Sequence, residues 1–456
     1  MGMKWRTAVT VFVAMATLGV QRVSAQAGSG ASRSGANQTS TTPQAAPQSQ
    51  TGQDTRPHIR FDDFLHEAMR FNLDLAAQRA NIAITHAGVT TASQRPDWSA
   101  DFGFPVVDLS GQGNPLTYSI GLEAPIEVGG KRGRRIRAAK ADLNTANSDY
   151  DDAVRQLRAT ATGAFIDALS ARAILISKQK SIGELERIVS VNDERHRVGE
   201  IGEIELVQSR VERDQFRADL ISAEADVVTA DLAMGQQLGK PERVAEKLPV
   251  PDGTLDIPVR TFDVAELVAT ALERRPDVVS KQRALKAAET RIELANVNLI
   301  PDLTMSGAYS HLATGTGGFV QPADNTLSAS LSVNLPFSRW KNRGELESAR
   351  ATRTQAEIQL KATQLQAETE VRSAYAQYGA AVKRLRVYRD GLLKDADRVL
   401  EARLYAYQRG GATLLEVIDA QRTSADIYLS YAQALADHAR ALVTLEQTAD
   451  IWDVAF

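Results

Sequence analysis

The chain repeats itself, and the repeat limits what it can fold into more than any other feature. Phe61-Asp62-Asp63-Phe64-Leu65 is echoed by Phe262-Asp263-Val264-Ala265-Glu266-Leu267, 201 positions later (262 − 61). Arg95-Pro96-Asp97-Trp98 returns as Ile300-Pro301-Asp302-Leu303. Ala124-Pro125-Ile126 returns as Leu335-Pro336-Phe337, and Val198-Gly199-Glu200 as Arg409-Gly410-Gly411, both 211 positions later (336 − 125 and 410 − 199). The growth in offset places an insertion between the Pro-Asp and the Ala/Leu-Pro landmarks. Tandem copies of one supersecondary unit bury their apolar faces against each other, so the two halves should share one architecture. The repeats are read as residues 59–240 and 261–450, joined by a Pro-containing connector at 241–260 and followed by a short tail at 451–456.

Each copy has the same order of signals. Residues 61–94 and 262–299 are rich in helix formers, with Pro276 as the only proline inside. Thr261 or Asp263 is positioned to cap the second of these helices. Strict period-two runs follow. Leu116, Tyr118, Ile120, Leu122, Ala124 and Ile126 alternate with Thr117, Ser119, Gly121 and Glu123. In the second copy Leu303, Met305, Gly307 and Tyr309 form one run, and Leu327, Ala329, Leu331, Val333 and Leu335 another, each alternating with Ser, Thr, Ala or Asn. One apolar and one hydroxyl-rich face is the pattern of strands with lipid outside and water inside, although a soluble sheet shows the same alternation. Runs of about ten residues match the length of a tilted membrane strand.

Two long proline-free helices come next, 131–197 and 341–408, with heptad stripes through Val154, Ala161, Ala168, Leu175, Ile182 and Val189, and through Val371, Tyr378, Leu385, Leu392, Val399 and Ala406. At 1.5 Å per residue each extends roughly 100 Å. Seven-residue spacing calls for supercoiling, which suits a rod or a tube wall better than a globular core. Both reverse at glycine, 198–202 and 409–413, and return as helices over 203–238 and 414–450.

Composition narrows the functional classes. The formal net charge is −3 and no long basic run occurs, so nothing points to nucleic acid. No cysteine is present, which removes disulfides, thiolate ligands, a cysteine nucleophile and an acylated cysteine. His58, His66, His86, His196, His311 and His438 show no metal-ligand spacing, and no phosphate loop or nucleophile motif appears. No cofactor or enzymatic activity is expected. Lys4 and Arg6 before the apolar 7–20, with Val23-Ser24-Ala25 behind it, read as a cleaved signal at 1–25. Residues 26–58, rich in Ser, Gln and Thr, read as a disordered leader. No later segment looks long and apolar enough for a membrane helix, so a membrane crossing must be a barrel.

The duplicated order, the two Pro-Asp junctions, the Pro-Ile-Glu-Val-Gly-Gly-Lys-Arg run at 125–132 and the 407–421 turn region together resemble the outer-membrane efflux protein family, the TolC-like channels. The 125–132 run is most similar to the outer-membrane partners of heavy-metal RND pumps, the CzcC-like group, some of which are lipoproteins; this chain has no cysteine to acylate. The resemblance implies a mainly α fold with a small β part, a homotrimer in which four strands per chain close a twelve-stranded barrel, and a coiled-coil α-barrel across the periplasm. It implies an outer-membrane duct, embedded in lipid and serving a periplasmic adaptor and an inner-membrane RND pump, with divalent metal as the expected cargo. Ducts for drugs or secreted polypeptides, and a soluble periplasmic scaffold, are the competing readings.

Site residues follow. Glu416 and Asp419 lie three apart, on one helical face, and match family positions lining the periplasmic entrance. A ring of such acids attracts cations. Tyr407 matches a position in the closing network, and Glu205 with Gln208 are the first-copy counterparts of the two acids. Arg197, Val198, Gly199 and Glu200, with Arg409, Gly410 and Gly411, match the tips that meet the adaptor. Lys131, Arg132, Arg134, Arg135 and Arg137 open a helix whose dipole they oppose, with Arg339, Lys341 and Arg343 as a weaker echo; the first four, together with Trp98 and Trp340, are assigned to the membrane rim.

Overall fold

The computed structural model describes residues 56–104, 117–239, 248–312, 324–333, 339–453 and 456, without the side chains of 339–342. The proposed signal, all but the last residues of the leader, and parts of both strand-connecting loops lie outside the described residues. The order is β1 (His58–Arg60), α1 (Phe61–Phe71), α2 (Leu73–Ser93), β2 (Ser99–Gly103), β3 (Thr117–Ile126), α3 (Lys131–Arg197), α4 (Glu203–Gln237), β4 (Val250–Asp252), α5 (Val264–Arg274), α6 (Pro276–Val297), β5 (Leu303–Leu312), β6 (Asp324–Val333), α7 (Arg339–Val387), a π turn (Tyr388–Leu392), α8 (Leu393–Gln408) and α9 (Leu414–Ala449).

The first helix of each copy is broken, where the sequence reads as continuous. Asn72 has extended backbone (ψ 129°), and its side-chain oxygen accepts from Leu75 N at 3.1 Å to cap α2. Arg275 (ψ 124°) is likewise extended in the second copy, with no side-chain cap, because Pro276 disfavours a helical residue before it and then serves as the first residue of α6. Asp263, one of the two expected caps, accepts from Ala265 N at 2.8 Å. The second long helix is also interrupted, by the π turn, whereas α3 runs 67 residues unbroken.

The four long-range strands form one antiparallel sheet in the order β2-β3-β5-β6. β3 and β5 join the two copies, in register from Thr117 opposite Leu312 to Ile126 opposite Leu303. Phe102, Ile120, Tyr309 and Leu327 lie in one cross-strand row, and Leu122, Met305 and Leu331 share their face; all of them are exposed. The other face carries Ser119, Glu123, Ser306, Ser310, Ser328, Ser330 and Ser332, with Ser306 and Ser330 hydrogen-bonded at 2.7 Å. Among the described residues, the outer edges of β2 and β6 have no strand partner.

Two segments that the sequence reading left without structure form a clamp. β1 begins at His58, the last residue assigned to the leader, and pairs in parallel with β4 of the connector. Beneath it lies the main core, drawn from α1, α3, α5, α7 and α9. Phe165 of α3 is fully buried, with ring centroids 5.4 Å from Phe61, 5.5 Å from Phe64 and 6.1 Å from Phe456. The second copy answers with Phe262 on Tyr378 at 5.6 Å. By length and composition, one stretch of α3 does pass as a membrane span, contrary to expectation. Ala161, Phe165, Ile166 and Ala168 of α3 are 0% exposed and 39% of the stretch is buried, so the core accounts for part of this apolarity.

Truncating this aromatic hub should be expensive. Phe165→Ala is expected to lower stability by about 3–5 kcal/mol in denaturant unfolding of the detergent-solubilised protein. Ile84→Ala, at a position 70% exposed, should change it little.

Candidate channel mouth and sheet–helix junction

The two helix reversals are closed the same way. At the first, Glu200 N donates to Arg195 O at 2.8 Å and Gly199 N to His196 O at 3.0 Å. At the second, Gly411 N donates to Ala406 O at 2.8 Å and Gly410 N to Tyr407 O at 3.1 Å. This double bond pattern requires a left-handed residue just past the helix, and Gly199 (φ +78°) and Gly410 (φ +72°) supply it. The tips present Val198, 60% exposed, between ion pairs of Arg197 with Glu194 and Glu200 with Arg195, and Arg409 stacked 4.1 Å from the Tyr405 centroid.

Just behind the tips, Leu185, Ile188, Tyr407, Leu414, Val417 and Ile418 make a second core that holds the two helical hairpins together. Tyr407 is its polar centre. Its hydroxyl donates to Asn192 Oδ1 at 2.7 Å, and the Arg195 guanidinium stands 4.9 Å over its ring. Burial pushes the phenol above its ordinary value, against the lowering effect of the Arg195 guanidinium.

Glu416 caps the helix on which it lies. It is the third helical residue of α9: its carboxylate accepts from Thr413 N at 2.9 Å and Thr413 Oγ1 at 3.3 Å, while Thr413 Oγ1 accepts from Glu416 N. That is a reciprocal cap of the helix start. Arg403 of α8 adds a 3.2 Å ion pair. The Thr413 backbone bond, then Arg403, hold the Glu416 carboxyl below its usual range despite partial desolvation. Asp419 is exposed and lies one turn on, where its charge acts on Arg422.

The strongest link between the two hairpins was not foreseen. Arg422 of α9 donates through Nε to Glu212 Oε1 of α4 at 2.6 Å and through Nη2 to Oε2. Glu212 is 4% exposed. Only a two-sequence alignment of heptad positions on 203–237 and 414–449 could have paired them, because they are 210 residues apart. They border a cleft of about 430 Å³ with Ile204, Val207, Val211, Leu415 and Ile418.

At the other end of α3 the basic cluster has partners. Lys131 is 8% exposed and donates to Asp302 Oδ2 at 2.8 Å; Asp302 Oδ1 accepts from Val128 N. The second copy's Pro-Asp motif therefore fastens the start of the first copy's long helix. Arg132 donates to Ser93 O at 2.6 Å, and Arg135 to Ala92 O and Gln94 O at 3.1 and 2.9 Å, so these cations sit at the carbonyl end of α2, where its dipole favours them. Arg135 also grips Glu127 with both terminal nitrogens. Arg134 bonds Glu293, with Arg137 3.9 Å from the same carboxylate. The dipole of α3 made the cluster look unexplained; the dipole of α2 explains part of it. Trp98 is 69% exposed just before β2; Trp340 lies in the first turn of α7, and its side chain is outside the described residues. No group of three or more His, Asp or Glu among the described residues is arranged to hold a metal ion.

Two substitutions test the links between hairpins. Tyr407→Phe leaves the buried Asn192 oxygen without its donor and is expected to weaken the tip by about 1–3 kcal/mol, read as faster proteolysis near residues 198–202 and 409–413. Arg422→Leu should destabilise more than Arg422→Leu combined with Glu212→Leu, because the single change strands a buried carboxylate and the double does not.

Comparison with known proteins agrees with this geometry. Residues 64–240 and 267–449 match the outer membrane efflux protein family, one segment per repeat. The chain is 23% identical to the cobalt-zinc-cadmium resistance protein CzcC of Cupriavidus metallidurans, over 82% of this chain and 86% of that protein. It is 22% identical to the pyoverdine export outer membrane protein OpmQ of Pseudomonas aeruginosa, over 79% of each. Among solved structures, CusC superposes with a TM-score of 0.70 at 16% identity, covering 85% of this chain and 91% of that one. The fold is that of the TolC-like outer-membrane channels, and the chain belongs to the outer membrane efflux protein family: it is an outer-membrane efflux channel subunit.

Proposed function

We propose that three copies of this chain close a twelve-stranded barrel in the outer membrane and form the exit duct of a tripartite RND-type pump that exports divalent metal cations. The four-stranded sheet carries this reading. Its apolar face is exposed, its polar face is rich in serine, and among the described residues neither outer edge has a strand partner. Unpaired strand edges cannot remain in hydrocarbon, so strands from other copies must complete them. On α4, Ile204, Val207, Val211, Ile221 and Val228 are exposed at heptad-compatible spacing, a stripe suited to lateral packing between copies in the helical part.

The tips at Arg197–Glu200 and Arg409–Gly411 are the surfaces for a periplasmic adaptor, since they are exposed and held rigid by their own backbone bonds. Glu416, Asp419, Glu205 and Tyr407 belong to the periplasmic entrance. Asp419 is the acid free to face the passage, because Glu416 is engaged by Thr413 and Arg403. Arg132 and Arg134, in addition to their protein bonds, stand at the sheet–helix junction where lipid phosphates would lie. The metal assignment draws on the Glu-Val-Gly-Gly-Lys-Arg run at 127–132 and on the likeness to CzcC. The likeness to OpmQ favours a second reading, export of an organic molecule through the same duct.

A deletion strain challenged with cobalt, zinc, cadmium and copper should become metal-sensitive and recover with the wild-type gene. Sensitivity confined to antibiotics or siderophore export would replace metal with organic cargo. In planar bilayers Asp419→Asn is expected to lower cation over anion permeability, read from the reversal potential in a salt gradient.

A further inference from the structure

Where α7 gives way to α8, Tyr388 packs 6.1 Å from Tyr431 of α9, and three unusual features lie within a few helical turns of that contact. The first is the π turn Tyr388–Leu392, inside which Gly391 has non-helical backbone (φ 178°, ψ −35°). An extra residue in a helical turn breaks the regular ladder of backbone bonds, and such turns commonly mark points where a helix bends. The second is His438 of α9. It is 0% exposed, and neither ring nitrogen has a hydrogen-bond partner among the described residues. Its ring packs 5.6 Å from that of Tyr378 at a 31° tilt, and the Tyr378 hydroxyl is already engaged with the backbone of Arg260. The third is Arg389, which projects from the π turn to pair with Asp256 of the connector, next to Tyr388, whose ring faces Tyr431, one heptad before His438 on α9.

A buried neutral imidazole without an acceptor has no place for a second proton. Burial chiefly, and then the Arg389 charge, hold the His438 pKa below its ordinary value, while Asp256 opposes them. Of the other charges near this level, Lys383 and Arg386 of α7 and Asp390 of the π turn are exposed, and several others are paired with one another. Asp437 pairs with Arg384 of α7 and with Arg440; Arg440 reaches Asp167 of α3; Glu446 pairs with Arg260. Among the described residues, no carboxylate lies within hydrogen-bond reach of the ring. An imidazolium formed here would therefore face Arg389 as a like charge, across the one segment of the helix pair whose backbone ladder is already interrupted.

We propose that His438 is an acid sensor and the π turn its hinge: protonation of the buried ring releases the turn and lets α8 pivot on α7. The pivot matters because α8 carries Arg403 and Tyr407, which hold Glu416 and Asn192 at the entrance. That consequence rests on the reading of this end as the periplasmic mouth; the hinge itself does not. The sign follows from linkage. A histidine whose pKa is lowered in the closed form binds its proton more tightly in the opened or unfolded form. The closed form is thus fully stable above the ordinary value of 6.5 and loses stability as pH falls below it. One pH unit below that value, a single such group shifts the opening equilibrium by up to about tenfold.

Hydrogen–deuterium exchange of the full-length detergent-solubilised protein, corrected for intrinsic rates, tests the hinge. Between pH 7.5 and 5.5, protection in peptides spanning 384–396 and 432–442 should fall by up to about tenfold. The fall should vanish in His438→Phe and in His438→Met, the second guarding against a packing fault in the first. A flat wild-type profile, or an equal fall in both variants, would overturn the proposal. Single-channel conductance across the same pH range then separates the two layers. Acid-induced opening in the wild type alone is expected; a histidine-dependent exchange change without any conductance change would leave the hinge standing and remove its connection to the mouth.

Discussion

A strand edge inside a lipid bilayer must be paired, and this one requirement governs the molecule. Backbone N–H and C=O groups left bare in hydrocarbon cost several kcal/mol each, so four strands cannot stand alone there. The sheet is apolar on one face and lined with hydroxyls on the other, and among the described residues its edges at β2 and β6 have no strand partner. Everything else serves that demand. The duplication puts two hairpins side by side in one chain, with β3 and β5 fixing their register over ten residue pairs. The ion pair of Lys131 with Asp302 then ties the end of the sheet to the start of α3, so that the second repeat's strand junction sets where the first repeat's long helix begins.

Below the sheet, stability comes from ordinary globular packing. The clamp of β1 with β4 and the Phe61, Phe64, Phe165 and Phe456 cluster hold the repeats at their middle. Farther along α3 and α9, the second core and the Glu212–Arg422 pair hold the hairpins near their tips. Between these two levels lies the π turn, none of whose residues is buried.

Much of this was readable from residue spacing. Period-two runs gave β3, β5 and β6 within a few residues, and the bounds of α3 were anticipated at both ends because Gly129-Gly130 precedes it and Gly199 follows it. What escaped was long-range or locally ambiguous. β1 and β4 are three residues each and have no periodicity of their own; they exist because Val250 finds His58. The break at Asn72 has no proline to announce it, unlike its counterpart before Pro276. Composition could not reveal the π turn, since Gly391 alone in a helical run is compatible with a plain helix. After the second helix reversal, spacing placed Glu416 and Asp419 on one face but could not show that Thr413 and Arg403 occupy Glu416. Likewise, the basic residues after Gly130 were legible as a cluster, while their partners at the end of α2 depend on tertiary contact.

Because the chain has no native cysteine, the edge-pairing claim can be tested without background. Single cysteines placed at Ala100 in β2 and Ala329 in β6 of one chain, oxidised in isolated outer membranes, should give a ladder that ends at a covalent trimer on a non-reducing gel. Species no larger than the monomer, across a series of register-shifted pairs on the same two strands, would contradict closure of the barrel by neighbouring copies.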